Sequence, residues 1–431
     1  MSSYHLRATS DSKTAISFEL PEEVAISLEG MVDSMREGLL SFCVSTGLLV
    51  VQEILESEVE FLAGPKGKHN PGRHVFRHGS ALGSLVLGGR KVRVQRPRVR
   101  STDGDREIPL ESYRVFQDED LLIQATLERM ILGLAGRRYE AGLEPVGEEV
   151  RDQSNGTSKS TVSRRFIQGT QKALSQLMSR PLDEERYVVL MVDGIEFQEH
   201  LVVVAMGITF DGDKRVLGIW HGSTENKALF RSLLGDLLDR GLSYEEGILV
   251  VMDGSKGIRS AVREVFGDLA LVQRCMTHKK RNVLDHLPKE RQEWVRRQMN
   301  RAYEDLDYEK AKADLGGLAD ALEDPHPGAA ASLREGMEET LTVIRLGLPA
   351  LLKDTVSSTN PIESAFSMVR ESTRNVKRWR NGKQVLRWSA AALLESEQRF
   401  NRIRGYRDLP MLASKLRQHL QAVNQEMAHI G

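Results

Sequence analysis

The stretch YVVLMVDGIEF, residues 187 to 197, decides the fold together with its near-copy GILVVMDGS, residues 247 to 255. Each is an apolar run that ends in Asp-Gly, which is typical of a buried strand followed by a turn. Two more β-rich runs lie between them, HLVVVAMGITFDGD at 200–213 and KRVLGIWHGS at 214–223. Their connections are very short, so the first three runs predict an antiparallel meander.

Two helical patterns and a fifth strand complete this region. ENKALFRSLLGDLLDRG at 225–241 and KGIRSAVREVFG at 256–267 flank the second Asp-Gly strand, and LALVQRCM follows at 269–276. Helices that alternate with strands indicate parallel pairing. The order β-β-β-α-β-α-β therefore predicts an α/β core of the ribonuclease H-like type over residues 183–278.

The chain before this core has a composition typical of a DNA-binding region. Residues 22–60 carry apolar positions at three- and four-residue spacing, which predicts an N-terminal helical region over residues 1–60. Residues 61–120 contain a predicted basic β-hairpin that turns at Gly88-Gly89. From 61 to 102 there are ten lysines and arginines and no Asp or Glu. The predicted DNA contacts of the hairpin are Arg90, Lys91, Arg93, Arg96 and Arg98.

Residues 121–182 contain a pattern that resembles a helix-turn-helix. A helix-like segment, RYEAGLEPVGEEVRD, precedes the polar turn QSNGTSK and then STVSRRFIQGTQKAL. The last segment would be the recognition helix, with Arg164 and Arg165 near bases or phosphates. An ordinary pair of capped helices explains the same pattern, so both interpretations stay open at this point.

The chain after the core is predicted to be helical throughout. Residues 279–357 are charged, show helical periodicity and contain no strand pattern, which predicts an all-helical insertion. Residues 358–431 comprise a helix that contains Glu363 and a basic helical tail. Trp379 and Trp388 interleave with this basic segment, and such residues can stack on distorted DNA ends. Its predicted DNA contacts are Arg374, Lys377, Arg378 and Arg380.

Asp193 and Asp253 form the first candidate catalytic pair. Each follows a buried run, and the first and fourth strands of the predicted sheet are neighbours. Phosphoryl transfer by two divalent cations needs carboxylates gathered at one place. Asp-Gly is also a common turn, so either residue alone would favour the turn. Glu363, in SSTNPIES, equally fits the third position of a helix capped by Asn360.

The motifs VDG, MDG, QRCMTHKKRN and STNPIES together resemble those of the Mutator-type transposases of bacterial insertion sequences, a DDE transposase family. The resemblance implies that Asp193, Asp253 and Glu363 are the catalytic, metal-binding triad. It implies two Mg²⁺ or Mn²⁺ ions per site and cleavage and joining of DNA at terminal inverted repeats. The expected partners are double-stranded transposon ends and target DNA. A homodimer or larger homo-oligomer is expected by analogy.

The same resemblance includes a Cys-x-x-His motif, matched by Cys275 and His278. A structural zinc site needs four ligands, and no second cysteine lies nearby. Contact with DNA, a structural role and proton transfer by His278 all remain open. The basic residues around the pair can bind phosphates. The predicted DNA-binding set here is Arg274, Cys275, His278, Lys279, Arg281 and Asn282.

The composition sets limits on the other classes of function. The formal net charge is -1, so the total charge does not indicate a nucleic-acid partner. There are only two cysteines, so a disulfide framework is excluded. No apolar run approaches the roughly 20 residues of a membrane span. The composition therefore favours a cytoplasmic protein with no membrane partner, and the resemblance implies a bacterial, nucleoid-associated one. A nuclease without a joining step and a regulator without catalysis are the alternative functions.

Overall fold

The computed structural model describes residues 22–68, 72, 74–103, 106–144, 146, 148–224 and 226–430. Residues 1–21, which belong to the predicted N-terminal helical region, lie outside this description. The chain divides into two compact units. The first unit is Met1–Glu128 with Leu134–Phe166, and the second is Arg129–Gly133 with Ile167–Gly431.

A small antiparallel sheet is the centre of the first unit. The elements from the N-terminal end onward are α1 (Glu22–Ala63), β1 (Val75–Leu87), β2 (Arg90–Ser101), β3 (Glu107–Ile108), α2 (Glu111–Phe116), α3 (Glu119–Ile131), α4 (Glu148–Asp152), β4 (Ser154–Asn155) and α5 (Lys159–Ser179). The last turn of α3 and the part of α5 from Ile167 onward belong to the second unit. Strands β1 and β2 pair from Leu87 and Arg90 outward, so the predicted turn at Gly88-Gly89 is confirmed. The hairpin packs on α1 through Leu55 and Val59.

The predicted helix-turn-helix is wrong in its first helix. Residues 138–152 form only a 3-10 turn at Glu140–Gly142 and the five-residue helix α4. The segment LEPVG between them contains Pro and Gly, which interrupt helices. The predicted polar turn holds β4, which pairs with Lys91 and Val92 of the hairpin. A support helix is therefore absent among the described residues of this segment.

A five-stranded mixed sheet is the centre of the second unit. Its elements are β5 (Tyr187–Phe197), β6 (His200–Thr209), β7 (Lys214–Gly222), α6 (Lys227–Asp239), β8 (Ile248–Met252), α7 (Lys256–Phe266) and β9 (Ala270–Arg274). The strand order is β7-β6-β5-β8-β9. The first three strands pair antiparallel and β5, β8 and β9 pair parallel. The predicted element order is therefore confirmed.

The apolar residues of this sheet form the main core. Every residue of β8 is buried, and most of β5 and β6 is buried as well. Phe230 and Leu233 of α6 and Ile258 of α7 pack on the same cluster. Continuous apolar runs are expected for strands covered on both faces. This packing fixes the ends of β5 and β8, from which the site is built.

Helices occupy the rest of the second unit. They are α8 (Met276–Asp285), α9 (Lys289–Glu304), α10 (Tyr308–Glu323), α11 (Pro327–Arg334), α12 (Met337–Thr340), α13 (Thr342–Arg345), α14 (Ala350–Val356), α15 (Asn360–Thr373), α16 (Gly382–Glu397) and α17 (Leu409–Ile430), with a 3-10 turn at Tyr406–Asp408. Residues 279–357 contain no strand, as predicted. No helix within the described ranges is both long and apolar enough for a membrane crossing.

Candidate active site

Asp193 and Asp253 occupy matched positions on neighbouring parallel strands. The parallel pairing of β5 with β8 ends at Val192 and Met252, and each aspartate is the next residue. Asp253 follows the end of β8, as predicted. Asp193 does not end its strand, because β5 continues to Phe197 in antiparallel pairing with β6. The sheet thus places both carboxylates beside the point where the parallel pairing stops.

Local backbone contacts orient both carboxylates. The Gly194 amide donates to Asp193 Oδ1 at 2.8 Å, and the Ser255 amide donates to Asp253 Oδ1 at 2.9 Å. Ser255 also caps helix α7, whose first turn follows directly. The alternative interpretation as ordinary Asp-Gly turns explains the Asp253 contact. It does not explain why two such residues lie side by side.

Glu363 does not form the capping box that its sequence allows. Helix α15 begins at Asn360, so Thr359 occupies the capping position, and no side-chain capping bond forms there. The Glu363 carboxylate instead contacts the Thr359 hydroxyl at 3.4 Å and His278 Nε2 at 3.4 Å. A capping glutamate would accept from a backbone amide of its own helix start. The side chain of Glu363 therefore faces the site.

Cys275 and Thr359 connect the two helices that carry His278 and Glu363. The buried Cys275 sulfur accepts from the His278 amide at 3.5 Å, which caps α8, and from the Thr359 amide at 3.4 Å. The Thr359 hydroxyl lies 3.4 Å from His278 Nδ1. The side chain of Cys275 is fully buried, so its predicted DNA contact is corrected, and its role in this geometry is structural. Thr359 was missed from the sequence, although it stands directly before NPIES.

Three side chains form a compact group with metal-ligand chemistry. One ligand atom each from Asp193, His278 and Glu363 lies within 4.8 Å of the others. Asp253 lies outside this tightest group but lines the same groove, with a volume of about 580 Å³. The exposed Glu196 contributes a further carboxylate to the groove. The groove also contains Arg281, Ser367 and Arg370. The sequence predicted Arg281 as a DNA contact and placed Arg370 in the basic segment that follows Glu363.

The groove changes the proton affinity of two members of this group. The pKa of Asp193 is raised to about 6, mainly by burial; His278 opposes the rise and the neighbouring Asp253 contributes to it. Hydrogen bonding to Cys275 raises the pKa of His278 to about 9, and the carboxylates of Asp193 and Glu363 add to this effect. The group therefore combines an acid that resists ionisation with a base that retains its proton.

Several predicted DNA contacts around this site have internal partners instead. Arg274 and Lys279 are 5% and 1% exposed. Both donate to the Glu335 backbone carbonyl, and Arg274 also pairs with the Glu335 carboxylate at 3.1 Å. Arg274 attaches the end of α11 to β9 and Lys279 attaches it to α8, which corrects the prediction of phosphate contact for both. Arg281 and Asn282 remain exposed on α8.

The basic hairpin is less free than its sequence indicates. Arg96 and Arg98 both pair with Glu107, and Lys91 pairs with Glu119. These acidic partners lie outside the stretch that lacks Asp and Glu. Arg90 is buried and donates to the Glu144 carbonyl at 3.0 Å, so its predicted DNA contact is corrected. Arg93 is exposed.

The remaining predicted contacts divide in the same way. Arg165 is buried and donates to the Gly156 carbonyl at 2.7 Å, so it stabilises the preceding turn rather than facing DNA. Arg164 is exposed on α5, and the four basic residues of the C-terminal segment are exposed too, namely Arg374, Lys377, Arg378 and Arg380. Trp379 packs edge-on against Phe197 at 5.2 Å and is largely buried. The predicted base stacking by Trp379 is therefore wrong.

Comparison with known proteins gives one consistent family. The family described as "Transposase, Mutator family" matches residues 27–402. The transposase of insertion sequence element ISRM5 from Rhizobium meliloti (strain 1021) is 27% identical over 386 residues, 88% of this chain and 92% of that protein. The transposase of IS6120 from Mycolicibacterium smegmatis is 31% identical, over 54% of this chain and 72% of that protein. The transposase of IS256 in transposon Tn4001 from Staphylococcus aureus is 26% identical, over 80% and 87%.

Proposed function

Because this chain belongs to the Mutator family of transposases, we propose that it cuts and joins DNA at the ends of an insertion sequence with Asp193, Asp253 and Glu363 as its metal-binding triad. The observation that carries the proposal is the matched position of Asp193 and Asp253, next to a glutamate that reaches the same groove from α15. The sheet order and the helical segment 279–357 support a ribonuclease H-like core with an insertion.

The donor set of the groove fits divalent cations that prefer oxygen. Mg²⁺ and Mn²⁺ take carboxylates and retain water, and the groove offers three proposed ligands that come from two strands and a helix. The chemistry that a pair of such ions supplies is activation of an attacking oxygen and stabilisation of the leaving oxygen of a phosphodiester. Glu196 is a further carboxylate at the groove edge.

The residues around the triad position it for this role. Thr359 contacts both Glu363 and His278, so its hydroxyl fixes the orientation of the carboxylate and of the ring. Cys275 joins the starts of α8 and α15 and so sets their separation. Asp193 must lose its proton to bind a cation, which couples metal binding to pH. These residues hold and orient, and the reacting oxygens belong to DNA and water.

The proposed partners are the terminal inverted repeats of the element and target DNA. Exposed basic residues of α8 and of the segment after α15 lie in the same unit as the triad. Exposed cations that neutralise phosphates supply most non-specific affinity for DNA. Two ends must meet for transposition, so we expect a homodimer or a larger homo-oligomer.

Substitution of the triad tests this proposal directly. Asp193→Ala, Asp253→Ala and Glu363→Ala should each reduce Mn²⁺-dependent cleavage of a duplex carrying the flanking inverted repeat to background. Binding of the same duplex should be largely retained, because exposed basic residues outside the triad supply most of the non-specific affinity. Retained cleavage in Glu363→Ala would remove this residue from the site.

A second assay tests the joining step. A pre-cut duplex that ends in a free 3′-hydroxyl should be joined to plasmid DNA by the wild-type protein and not by Asp253→Ala. Efficient cutting without any joining would show a nuclease rather than a transposase. If the protein neither cuts the duplex nor binds Mn²⁺, the result would favour a non-catalytic DNA-binding protein.

A further inference from the structure

Two exposed arginines lie on the rim of the acidic groove, on two different helices. Arg281 belongs to α8 and Arg370 belongs to α15, and both line the groove that contains the triad. Each is exposed to solvent. A cation from each of two helices beside one site is an arrangement that suits an extended, negatively charged ligand.

Helical spacing places each arginine on the same face as a member of the site. Arg281 follows His278 by three positions, so both lie on one face of α8. Arg370 follows Glu363 by seven positions, two turns and about 10 Å along the axis of α15. Ser367 lies between them on that face and also lines the groove. Each helix therefore carries a site residue and an arginine on the same face.

Neither arginine is bound by the carboxylates of its own groove. Other exposed cations of the second unit do have carboxylate partners, for example Arg259 with Glu339 and Lys227 with Glu264. Within the part of the chain that the structure describes, no carboxylate lies within ion-pair distance of Arg281 or Arg370. An arginine that is left unpaired beside acidic groups keeps all of its donors for a ligand.

The charge of the groove favours an anion only when metal is bound. Without metal, the carboxylates of the groove oppose the approach of phosphate. Two divalent cations would neutralise four carboxylates, and the two guanidinium groups would then leave the groove positive. Guanidinium forms two parallel hydrogen bonds with phosphate, which fixes the position of the group as well as attracting it.

We propose that Arg281 and Arg370 hold one DNA strand on the two sides of the phosphate that is cut, and so position it in the groove. They are positioning residues, and neither takes part in the bond change. The inference rests on the proposed function, since the triad defines which phosphate is cut. It assigns Arg281, which the sequence predicted only as a DNA contact, and Arg370 to the phosphates beside the cut. It also predicts an ordered sequence in which metal binds before the two arginines hold the DNA strand.

The test uses the full chain and a duplex with the inverted repeat that flanks its coding sequence. Single neutral methylphosphonates replace the phosphates on each side of the cut. With wild-type protein and Mn²⁺, a neutral group at a gripped phosphate should slow cleavage about ten- to hundredfold, the cost of a charged hydrogen bond. Arg281→Gln and Arg370→Gln should each slow cleavage similarly. Each variant should become insensitive to a methylphosphonate at one position only.

A second readout does not depend on cleavage. Binding of the unmodified duplex is measured with Ca²⁺ at several salt concentrations. Loss of one phosphate contact should reduce the slope of log affinity against log salt by about 0.7 to 0.9. Arg297→Gln is the matched control, because Arg297 is exposed on α9 and does not line the groove. It should keep the wild-type rate and slope.

The outcomes separate this inference from the function on which it rests. Suppose that wild-type protein cuts the duplex, but both variants keep full sensitivity to every methylphosphonate and keep the wild-type salt slope. The proposed phosphate contacts of Arg281 and Arg370 are then wrong, and the transposase proposal stands. If wild-type protein fails to cut or join, the proposed function fails. If the salt slope is also unchanged in both variants, the proposed phosphate contacts of Arg281 and Arg370 are overturned as well. Unchanged Mn²⁺ affinity and melting temperature in the variants would exclude a loss of fold.

Discussion

At the scale of single residues, Asp193 is a carboxyl group that the fold holds where its charge is disfavoured. Its pKa rises from the ordinary 3.8 to about 6, mainly because of burial. The folded state therefore retains a proton that the unfolded chain releases, and its stability falls as the pH rises from about 4 through about 6. A shift of this size costs up to about 3 kcal/mol at neutral pH. Bound cations would offset this cost.

The substitution Asp193→Asn should therefore stabilise the metal-free protein while it abolishes cleavage. We expect the melting temperature at pH 7.5 in EDTA to rise by several degrees, for a gain of about 1 to 3 kcal/mol. At pH 4 the gain should disappear, because Asp193 is then protonated in the wild type. Asp239→Asn, at an exposed position of α6, is the control and should change neither value. Equal wild-type and Asp193→Asn melting temperatures at pH 7.5 would contradict this account.

Thr359 allows a second test at the same scale. Its hydroxyl contacts both Glu363 and His278, and groups that orient metal ligands typically contribute ten- to hundredfold in affinity. Thr359→Val should weaken Mn²⁺ binding, measured by calorimetry, by about that factor. Thr373→Val removes a similarly buried hydroxyl, which bonds only within α15, and should leave the affinity unchanged. Equal effects of the two changes would make the role of Thr359 structural only.

At the scale of elements, the connection from β8 to α7 depends on the space beside Gly254. Gly254 has φ +93°, and a Cβ there would lie 1.8 Å from Arg274 Nε. Arg274 cannot withdraw easily, because it is buried and attached to Glu335. The Asp-Gly pattern therefore serves two purposes: Asp253 faces the groove, and Gly254 leaves room for the arginine that attaches α11.

Gly254→Ala should be far more disruptive than a glycine change with backbone strain alone. We expect a loss of about 2 to 4 kcal/mol in the free energy of unfolding, since strain and overlap add. Gly267 also has positive φ, but a Cβ there meets nothing within 4 Å. Gly267→Ala should cost only about 1 kcal/mol. Chemical denaturation measures both, and similar losses would show that Arg274 moves freely.

At the scale of the whole molecule, the proposed metal site and the basic hairpin belong to different units of the chain. All three proposed metal ligands belong to the second unit, whereas the basic hairpin belongs to the first. The pairing of Arg96 and Arg98 with Glu107 reduces the positive charge that the hairpin offers to DNA. We infer that the first unit contributes to the choice of DNA sequence and the second unit to cutting.

A fragment comprising residues 159–431 tests this division. It should unfold cooperatively and bind Mn²⁺ with the affinity of the full chain, because the ligands and their supporting sheet are retained. Its preference for the inverted repeat over unrelated duplex should fall at least tenfold, measured by competition. A fragment that keeps the full preference would assign sequence recognition to the second unit.

The sequence alone determined the order of strands and helices in the second unit and the hairpin turn. These features follow from short-range patterns, namely apolar runs, helical spacing and Gly-Gly, which act through neighbouring residues. It also identified Asp193 and Asp253 as a pair, because strand order converts two distant motifs into neighbours. The prediction of the first helix of the helix-turn-helix was wrong, because a short segment that contains Pro and Gly does not form a stable helix by itself.

Only the tertiary structure decided which polar residues are free to act. Burial gave Arg90, Arg165, Arg274 and Lys279 internal partners that are distant in sequence, and no local pattern distinguishes them from exposed cations. It also turned Glu363 away from its own helix start toward His278 and Thr359, where the sequence allowed a cap equally well. Sequence patterns specify which element a residue belongs to, whereas the partners of a polar group depend on what packs against that element.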